Sequence, residues 1–336
     1  MSLCPRSPTR KGAVKMTFEQ INSIFEENDC FTILTHKSPD GDTLGCGFAL
    51  CEFLRNMGKK ANVLNSEGFP ERYDFIYEGY YEQEFEEQYV IAVDIADTVL
   101  LGHNLERYAK EGAIDLCIDH HISNKNYAKN TYVDAKAPAA ALILYKIMRE
   151  SGKPVTKHIA EALYTGIATD TGCFKYENTT PETHRIAAEL MENFDISFAI
   201  INRKMFDVKS KARMRVEQGV ARHMEYYYDD KCSLIILSRE TMEESGVDAS
   251  EFEGLASIPL SVEGVQIGIT VKERHENVYK ISVRTTEEVD ASAFCKNFGG
   301  GGHIRAAGCE IHAPLAEVRS MLLMQVDKEL NGTKQD

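Results

Sequence analysis

In TILTHKSPDGDTLG (Thr32–Gly45), one histidine and two aspartates, His36, Asp40 and Asp42, fall just after an apolar run. Further along, Asp94 closes the apolar run YVIAVD, and Asp119, His120 and His121 end AIDLCIDHH. Asp170 ends the segment ALYTGIATD. Carboxylates and imidazoles without a thiolate suit Mn²⁺ or Mg²⁺, and nitrogen donors tilt the choice toward Mn²⁺. So many aspartates carry too much negative charge for one ion, whereas two cations bridged by one carboxylate would balance them. Such a pair lowers the pKa of a bridging water and clamps attacking and leaving oxygens in a displacement at phosphorus. Each group alone has a plainer explanation: Asp42 as a helix cap, Asp94 as a turn residue. Paired imidazoles ending a buried strand need partners, and the four groups together point to a metal site.

Those residues need elements that bring them together. FTILT (31–35), KANVLN, YVIAVD (89–94) and AIDLCID (113–119) read as strands, because short continuous apolar runs suit a buried parallel sheet. DTLGCGFALCEFLRNMG, PAAALILYKIMRESG and VTKHIAEALYTGIATD read as the helices between and after them. The fold class is therefore α/β, with an N-terminal, mostly parallel sheet flanked by helices. The carboxyl ends of parallel strands face one crevice, where His36, Asp40, Asp42, Asp94, Asp119, His120 and His121 can converge. Asp170 joins them only if its helix points the same way. From about Ser197 to Asp229 a long, charged helical segment reads as a connector. A smaller α/β domain follows, with strands CSLIILS, VQIGITVKE and YKISVRT (279–285), a helix DASAFCKNF, a glycine cluster and a last helix PLAEVRSMLLMQVDKEL. The expected divisions are a disordered tail at 1–15, a metal-binding domain at 16–196, the connector at 197–229 and the second domain at 230–332.

Composition narrows the classes. The 336 residues, 43% of them apolar, suffice for two cores. No stretch nears the ~18 consecutive apolar residues of a membrane span. The basic start MSLCPRSPTRKGAVK has no apolar run behind it, so no secretory leader is expected, and Met16 is a candidate internal start. Nine scattered cysteines without a CxxC argue for reduced thiols in a cytoplasmic protein. A net charge of −14 opposes broad binding to long nucleic acid, which depends on neutralising many phosphates.

HKSPDGD, VDIAD, DHH and GIATDTG, in that order, resemble the four motifs of the DHH phosphoesterase superfamily, and FGGGGHIRAAG (298–308) resembles the signature of its DHHA1 domain. The short two-domain layout is most similar to the nanoRNase/pAp phosphatase (NrnA) group. RecJ-type nucleases carry further domains, and family II pyrophosphatases lack this GGGGH. The resemblance implies one Mn²⁺ held by His36, Asp40 and Asp94 and a second held by Asp42, Asp94, His120 and Asp170, with Mg²⁺ as the substitute ion. It implies that Asp119 orients a neighbouring imidazole and that His121 faces the scissile phosphate. Glycines 299 to 302 (Gly299, Gly300, Gly301, Gly302) let backbone amides approach an anion and form a nest. His303 can donate to the same phosphate, and Arg284 resembles the family's substrate-phosphate arginine.

The function so implied is a Mn²⁺-dependent phosphoesterase for short oligoribonucleotides and 3′-phosphoadenosine 5′-phosphate (pAp). The glycine loop, His303 and Arg284 would grip a second, non-reacting phosphate as a ruler. The alternatives are a phosphodiesterase for cyclic dinucleotides or pApA, a polyphosphate or pyrophosphate hydrolase, and a catalytically inactive nucleotide-binding module. The last would predict a missing ligand, and every expected one is present.

Overall fold

The apolar runs form a five-stranded, wholly parallel sheet in the computed structural model, which describes residues 16–247, 254–286 and 288–332. The expected tail at 1–15 lies outside the described residues. The strands are β1 (Phe31–Leu34), β2 (Ala61–Leu64), β3 (Tyr89–Val93), β4 (Leu116–Asp119) and β5 (Asn130–Val133), ordered β2-β1-β3-β4-β5. That order has its topological switch between β1 and β3, the place where open α/β sheets take ligands. His36, Asp40 and Asp42 follow β1, and Asp94 follows β3, so they flank the switch.

Alternation along the strands divides the side chains between two cores. Phe31, Ile33, Ile91, Val93, Leu116 and Ile118 pack with helices α1 (Phe18–Glu27), α2 (Gly41–Asn56), α3 (Ala140–Ser151) and α4 (Lys157–Asp170). Leu34, Val90, Ala92 and Cys117 face the other way, against Leu101, Leu105 and Tyr108. Those three residues sit on two short 3-10 helices, Thr98–Leu101 and His103–Ala109. Helix α5 (Pro181–Phe194) packs on α4.

Helices α2 and α4 run antiparallel and touch through glycines. A Cβ on Gly45 would lie 2.4 Å from the Ala162 carbonyl oxygen, and one on Gly41 would lie 2.5 Å from Thr169 Oγ1. A Cβ on Gly166 would come within 2.7 Å of Asp42 Oδ1. The missing side chains let the N-terminus of α2 and the C-terminus of α4 meet. This meets the condition on Asp170, and it follows from helix packing that no local pattern reveals.

The chain divides into two compact units at Val208/Lys209. The expected connector is therefore two helical pieces in different units rather than one segment. Helix α6 (Phe198–Asn202) and the π-helical turn Arg203–Asp207 close the first unit. Helix α7 (Lys211–Arg222) opens the second, restarted by Ser210, whose side chain accepts from the Arg213 amide. The charged run looks continuous in sequence, but Val208 is extended and this cap resets the helix.

In the second unit a six-stranded sheet has the order β10-β11-β9-β8-β7-β6, with only β7 and β8 parallel. Its strands are β6 (Glu225–Tyr227), β7 (Cys232–Leu237), β8 (Ile267–His275), β9 (Val278–Thr285), β10 (Gly301–His303) and β11 (Ala306–His312). Ile269, Val271, Ile281, Val283, Ala307 and Cys309 form a core with α9 (Ala291–Lys296) and α10 (Leu315–Asn331). Val216 and Val220 of α7 pack with Ile235 and Leu237 of β7, and α8 (Arg239–Ser245) lies against α7. The hairpin β10–β11 replaces the loop expected at the glycine cluster.

Candidate metal centre

Asp40 is the N-cap of α2, and its Oδ1 accepts from the amides of Asp42 (3.0 Å) and Thr43 (3.1 Å). Asp42 is fully buried and caps a different helix, as Oδ2 accepts from the Ala140 amide (2.6 Å) and Oδ1 from the Ala141 amide (2.8 Å). These two amides open α3, whose own N-cap, Ala139, has no side chain to offer. The plain explanation of these aspartates as caps therefore holds locally, with Asp40 in the place proposed for Asp42. A carboxylate offers about four lone-pair sites, more than these caps use, so capping leaves both residues able to bind a cation.

Asp94 follows β3 with a left-handed backbone, φ 57°, a costly conformation for a non-glycine residue. Its amide donates to the Ile118 carbonyl at 2.9 Å, which fixes the turn. The two oxygens then face opposite imidazoles. Oδ2 lies 3.5 Å from His36 Nε2, and Oδ1 lies 3.4 Å from His120 Nε2. His36 Nε2 is also 3.7 Å from Asp40 Oδ1, while His120 Nε2 is 3.2 Å from Asp170 Oδ2 and 3.9 Å from Asp42 Oδ2. Asp94 Oδ1 and His120 Nε2 are buried without a hydrogen-bond partner. Buried polar atoms are ordinarily paired, so two orphans aimed at one point require an explanation.

Second contacts orient both imidazoles. His36 Nδ1 donates to the Lys37 carbonyl (2.8 Å) and His120 Nδ1 to the Ala137 carbonyl (3.2 Å). In the neutral rings this leaves the Nε2 lone pairs turned toward the carboxylates, as in metal-ligating histidines. Burial opposes a charge on His36, but Asp40 and Asp94 outweigh it and push its pKa up to about 11. For His120 burial likewise opposes, and Asp170 with Asp94 pushes it up to about 12. Burial and the neighbouring Asp94 and Asp170 hold the Asp42 carboxyl well above the usual carboxylate range. The cluster draws in positive charge, which a divalent cation would supply in place of protons.

The ligand atoms of His36, Asp40 and Asp94, those of Asp42, His120 and Asp170, and those of Asp94, Asp119, His120 and His121 each lie within 4.8 Å of one another. This buried set of carboxylates and imidazoles can hold metal. Asp119 stands behind it. Its Oδ1 accepts from His121 Nδ1 (2.7 Å) and from the amides of His120 (2.7 Å) and His121 (3.2 Å). Its Oδ2 accepts from Asn124 Nδ2 at 2.6 Å. With Nδ1 so occupied, His121 has Nε2 as its remaining ring nitrogen, and its side chain is 39% exposed.

Sequence reasoning missed Asn124 and Thr43. The Thr43 hydroxyl accepts from the His36 amide (3.3 Å) and donates to the Val93 carbonyl (3.3 Å), joining two ligand-bearing turns. Thr43 directly follows HKSPDGD and Asn124 sits three residues past DHH, which is the only signal that marks them.

In the second unit, Gly299 and Gly300 donate their amides to Lys296 (3.1 Å) and Cys295 (3.0 Å) carbonyls, so the expected nest does not have all four amides open. Two of the glycines answer to packing instead. A Cβ on Gly300 would lie 2.2 Å from the Gly308 carbonyl oxygen, and one on Gly302 would lie 2.6 Å from that of Ala306. Gly301 and His303 belong to β10. Register places His303 opposite Ala306 and Ala306 opposite Arg284, so the three share the sheet face away from α9 and α10. His303 and Arg284 are thus two strand spacings apart, roughly 10 Å, with only a methyl group between them. Arg305, by contrast, donates to the Thr286 (2.6 Å) and Val289 (3.0 Å) carbonyls.

These features define a class, and comparison with known proteins agrees with it. The DHH family N-terminal domain matches residues 30–167, and the DHHA1 domain matches residues 233–331. The chain belongs to the DHH–DHHA1 family. It is 30% identical over 314 residues to the bifunctional oligoribonuclease and PAP phosphatase NrnA of Thermus thermophilus, covering 89% of each chain. It is 25% identical over 291 residues to the protein of the same name from Bacillus subtilis, covering 85% of this chain and 90% of that one. A solved exopolyphosphatase-related protein from Bacteroides fragilis has the same fold, with TM-score 0.82 at 24% identity over 93% of this chain and 96% of that one.

Proposed function

We propose that this phosphoester hydrolase acts on short phosphorylated nucleotides, as an oligoribonuclease and pAp 3′-phosphatase dependent on two Mn²⁺. The observation that carries the reading is the division of Asp94, whose two oxygens face His36 on one side and the orphaned His120 Nε2 on the other. His36, Asp40 and Asp94 would hold one cation, and Asp42, Asp94, His120 and Asp170 the other. When bound, such a pair activates water and offsets the charge that develops at phosphorus. Asp119 is a positioning residue. Its hydrogen bond raises the His121 pKa above its ordinary value, outweighing burial, and so favours an Nε2–H that can donate to a phosphate oxygen. Arg284, His303 and the backbone at Gly299–Gly302 would hold the second, non-reacting phosphate.

The names of the Thermus and Bacillus relatives support the substrate class. The net charge of −14 favours short over long nucleic acid. Among the described residues no helix is long and apolar enough to cross a membrane. All eight cysteines there are free, as reduced thiols of a cytoplasmic protein would be.

The test is turnover of pAp, a two-to-five-residue RNA, pApA, cyclic di-AMP, polyphosphate and pyrophosphate, each with Mn²⁺ or with EDTA. Mn²⁺-dependent release from pAp and short RNA is expected. Turnover that survives EDTA, or turnover of the inorganic chains alone, overturns the reading.

A further inference from the structure

Six residues past Asp170 stands an exposed tyrosine, Tyr176, that no part of this mechanism uses. The segment 171–178 leaves α4 directly after Asp170 and returns at Asn178. There the Asn178 Nδ2 donates to the carbonyls of Asp170 (3.0 Å) and Pro138 (3.3 Å). Pro138 adjoins Ala137, the residue that holds the His120 ring. Both feet of the loop are therefore fixed to backbone that positions the centre.

Within the loop the chain turns through three consecutive left-handed residues, Gly172 (φ 56°), Cys173 (φ 58°) and Phe174 (φ 64°). Two of them are not glycine, a strained arrangement that persists only where its surroundings enforce it. Here Thr171 enforces it, accepting at Oγ1 from the Phe174 amide (3.1 Å) and at its carbonyl from those of Lys175 (2.9 Å) and Tyr176 (3.0 Å). The Phe174 ring turns back and stacks on His184. The Tyr176 ring instead lies on Gly172, where a Cβ would come within 2.3–2.6 Å of three ring carbons. Glycine alone permits that contact. The ring is thus supported by backbone, yet the residue remains 61% exposed.

Single exposed aromatics are common and ordinarily carry no message. This one differs in being seated on a glycine, in a strained loop tied to the centre at both ends. A ring seated on backbone two residues past Asp170 offers a nucleobase what it most readily takes up, a flat face to stack on. We propose that Tyr176 is the stacking platform for the base of the nucleotide whose phosphate is being cleaved. The proposal rests on the phosphoesterase reading above.

Two measurements test it. Tyr176→Ala is expected to raise KM for pAp by roughly tenfold, the scale of one base–aromatic stack, with little change in kcat. The KM for the same bisphosphate lacking its base should not move, and Tyr176→Phe should restore the pAp value. The chain contains no tryptophan, so Tyr176→Trp places a lone indole on the platform. Its emission should be quenched by AMP and unaffected by ribose 5-phosphate. An unchanged pAp KM in an active Tyr176→Ala protein overturns the platform while leaving the hydrolase reading intact. Equal indole responses to AMP and ribose 5-phosphate do the same. Failure of the unaltered protein to cleave any nucleotide removes both.

Discussion

The centre depends on a few atoms that have no other employment. Asp94 Oδ1 and His120 Nε2 have no hydrogen-bond partner and face only the charged groups of the cluster, so losing either would remove a proposed metal ligand without an incidental structural loss. Asp94→Asn is expected to lower kcat on pAp by roughly 100-fold or more, since it weakens the charge stabilisation on both sides of the cluster. Wild-type turnover by that variant would sink the bridging assignment. Asp119 acts one step back, through the His121 ring. Asp119→Ala should therefore cost about 10–100-fold in kcat, the usual scale for an outer partner of a metal site, with KM for pAp nearly unchanged. A matching rise in KM would instead mark Asp119 as a binding residue. The proposed ligands were readable because each follows an apolar run or closes a helix. Asn124 and Thr43 were not, because a side chain that orients another carries no pattern of its own.

Among the elements, the decisive contact is the glycine-lined approach of α2 to α4. Gly45→Ala sets a methyl group against the Ala162 carbonyl. It should destabilise the first unit by about 1–3 kcal/mol, as overpacking does, read from urea unfolding. Gly219, in α7 with open space around it, is the control. Gly219→Ala should be neutral or stabilising by up to ~1 kcal/mol, from helix propensity alone. Equal effects at the two sites would mean that the α2–α4 contact tolerates a methyl group. Strands β1, β3 and β4 were legible because they are buried on both faces and so nearly continuous in apolar residues, while β2, an edge strand, shows alternate burial. Strand β5 is a half-exposed edge of four residues, NTYV, without that signature. The β10–β11 hairpin hid in its glycines, since a run that permits every turn also permits a strand packed closely on its neighbour.

For the whole molecule, two compact units divided at Val208/Lys209, with every proposed ligand in the first, predict that metal acts on one unit and not the other. Mn²⁺ at about 100 times its Kd should stabilise the first unit by ~2.7 kcal/mol, while the second unfolds at an unchanged midpoint. A shared shift of both midpoints would show that the units unfold together. The far end of the α2–α4 pair adds a pH dependence. The hydrogen bond that His158 donates to Glu52 holds the histidine pKa above its ordinary value against the opposing effect of burial. Burial pushes Glu52 up, but its bonds from His158 and Thr156 outweigh this and leave it lowered. The stabilising contribution is therefore complete between the unfolded glutamate and histidine values, about 4.3 and 6.5. It fades as pH rises through the folded His158 value, and again as pH falls through the folded Glu52 value. Glu52→Gln should thus lose more stability at pH 5.5 than at pH 9, and parallel losses would remove the pair from the account. None of this was visible in the sequence, where Glu52 and His158 are 106 positions apart.

Asp42 lends itself to one last deduction, about how such a chain could decay. Because its carboxylate closes the N-terminus of α3 as well as facing the cluster, the fold would keep demanding it after catalysis had been lost. A degenerate copy serving only to bind nucleotides could retain an aspartate there indefinitely. Asp94 and His120, whose orphaned atoms serve no helix, would be free to drift. A claim that some related chain is still an enzyme should be staked on those two positions, and the presence of Asp42 alone should persuade no one.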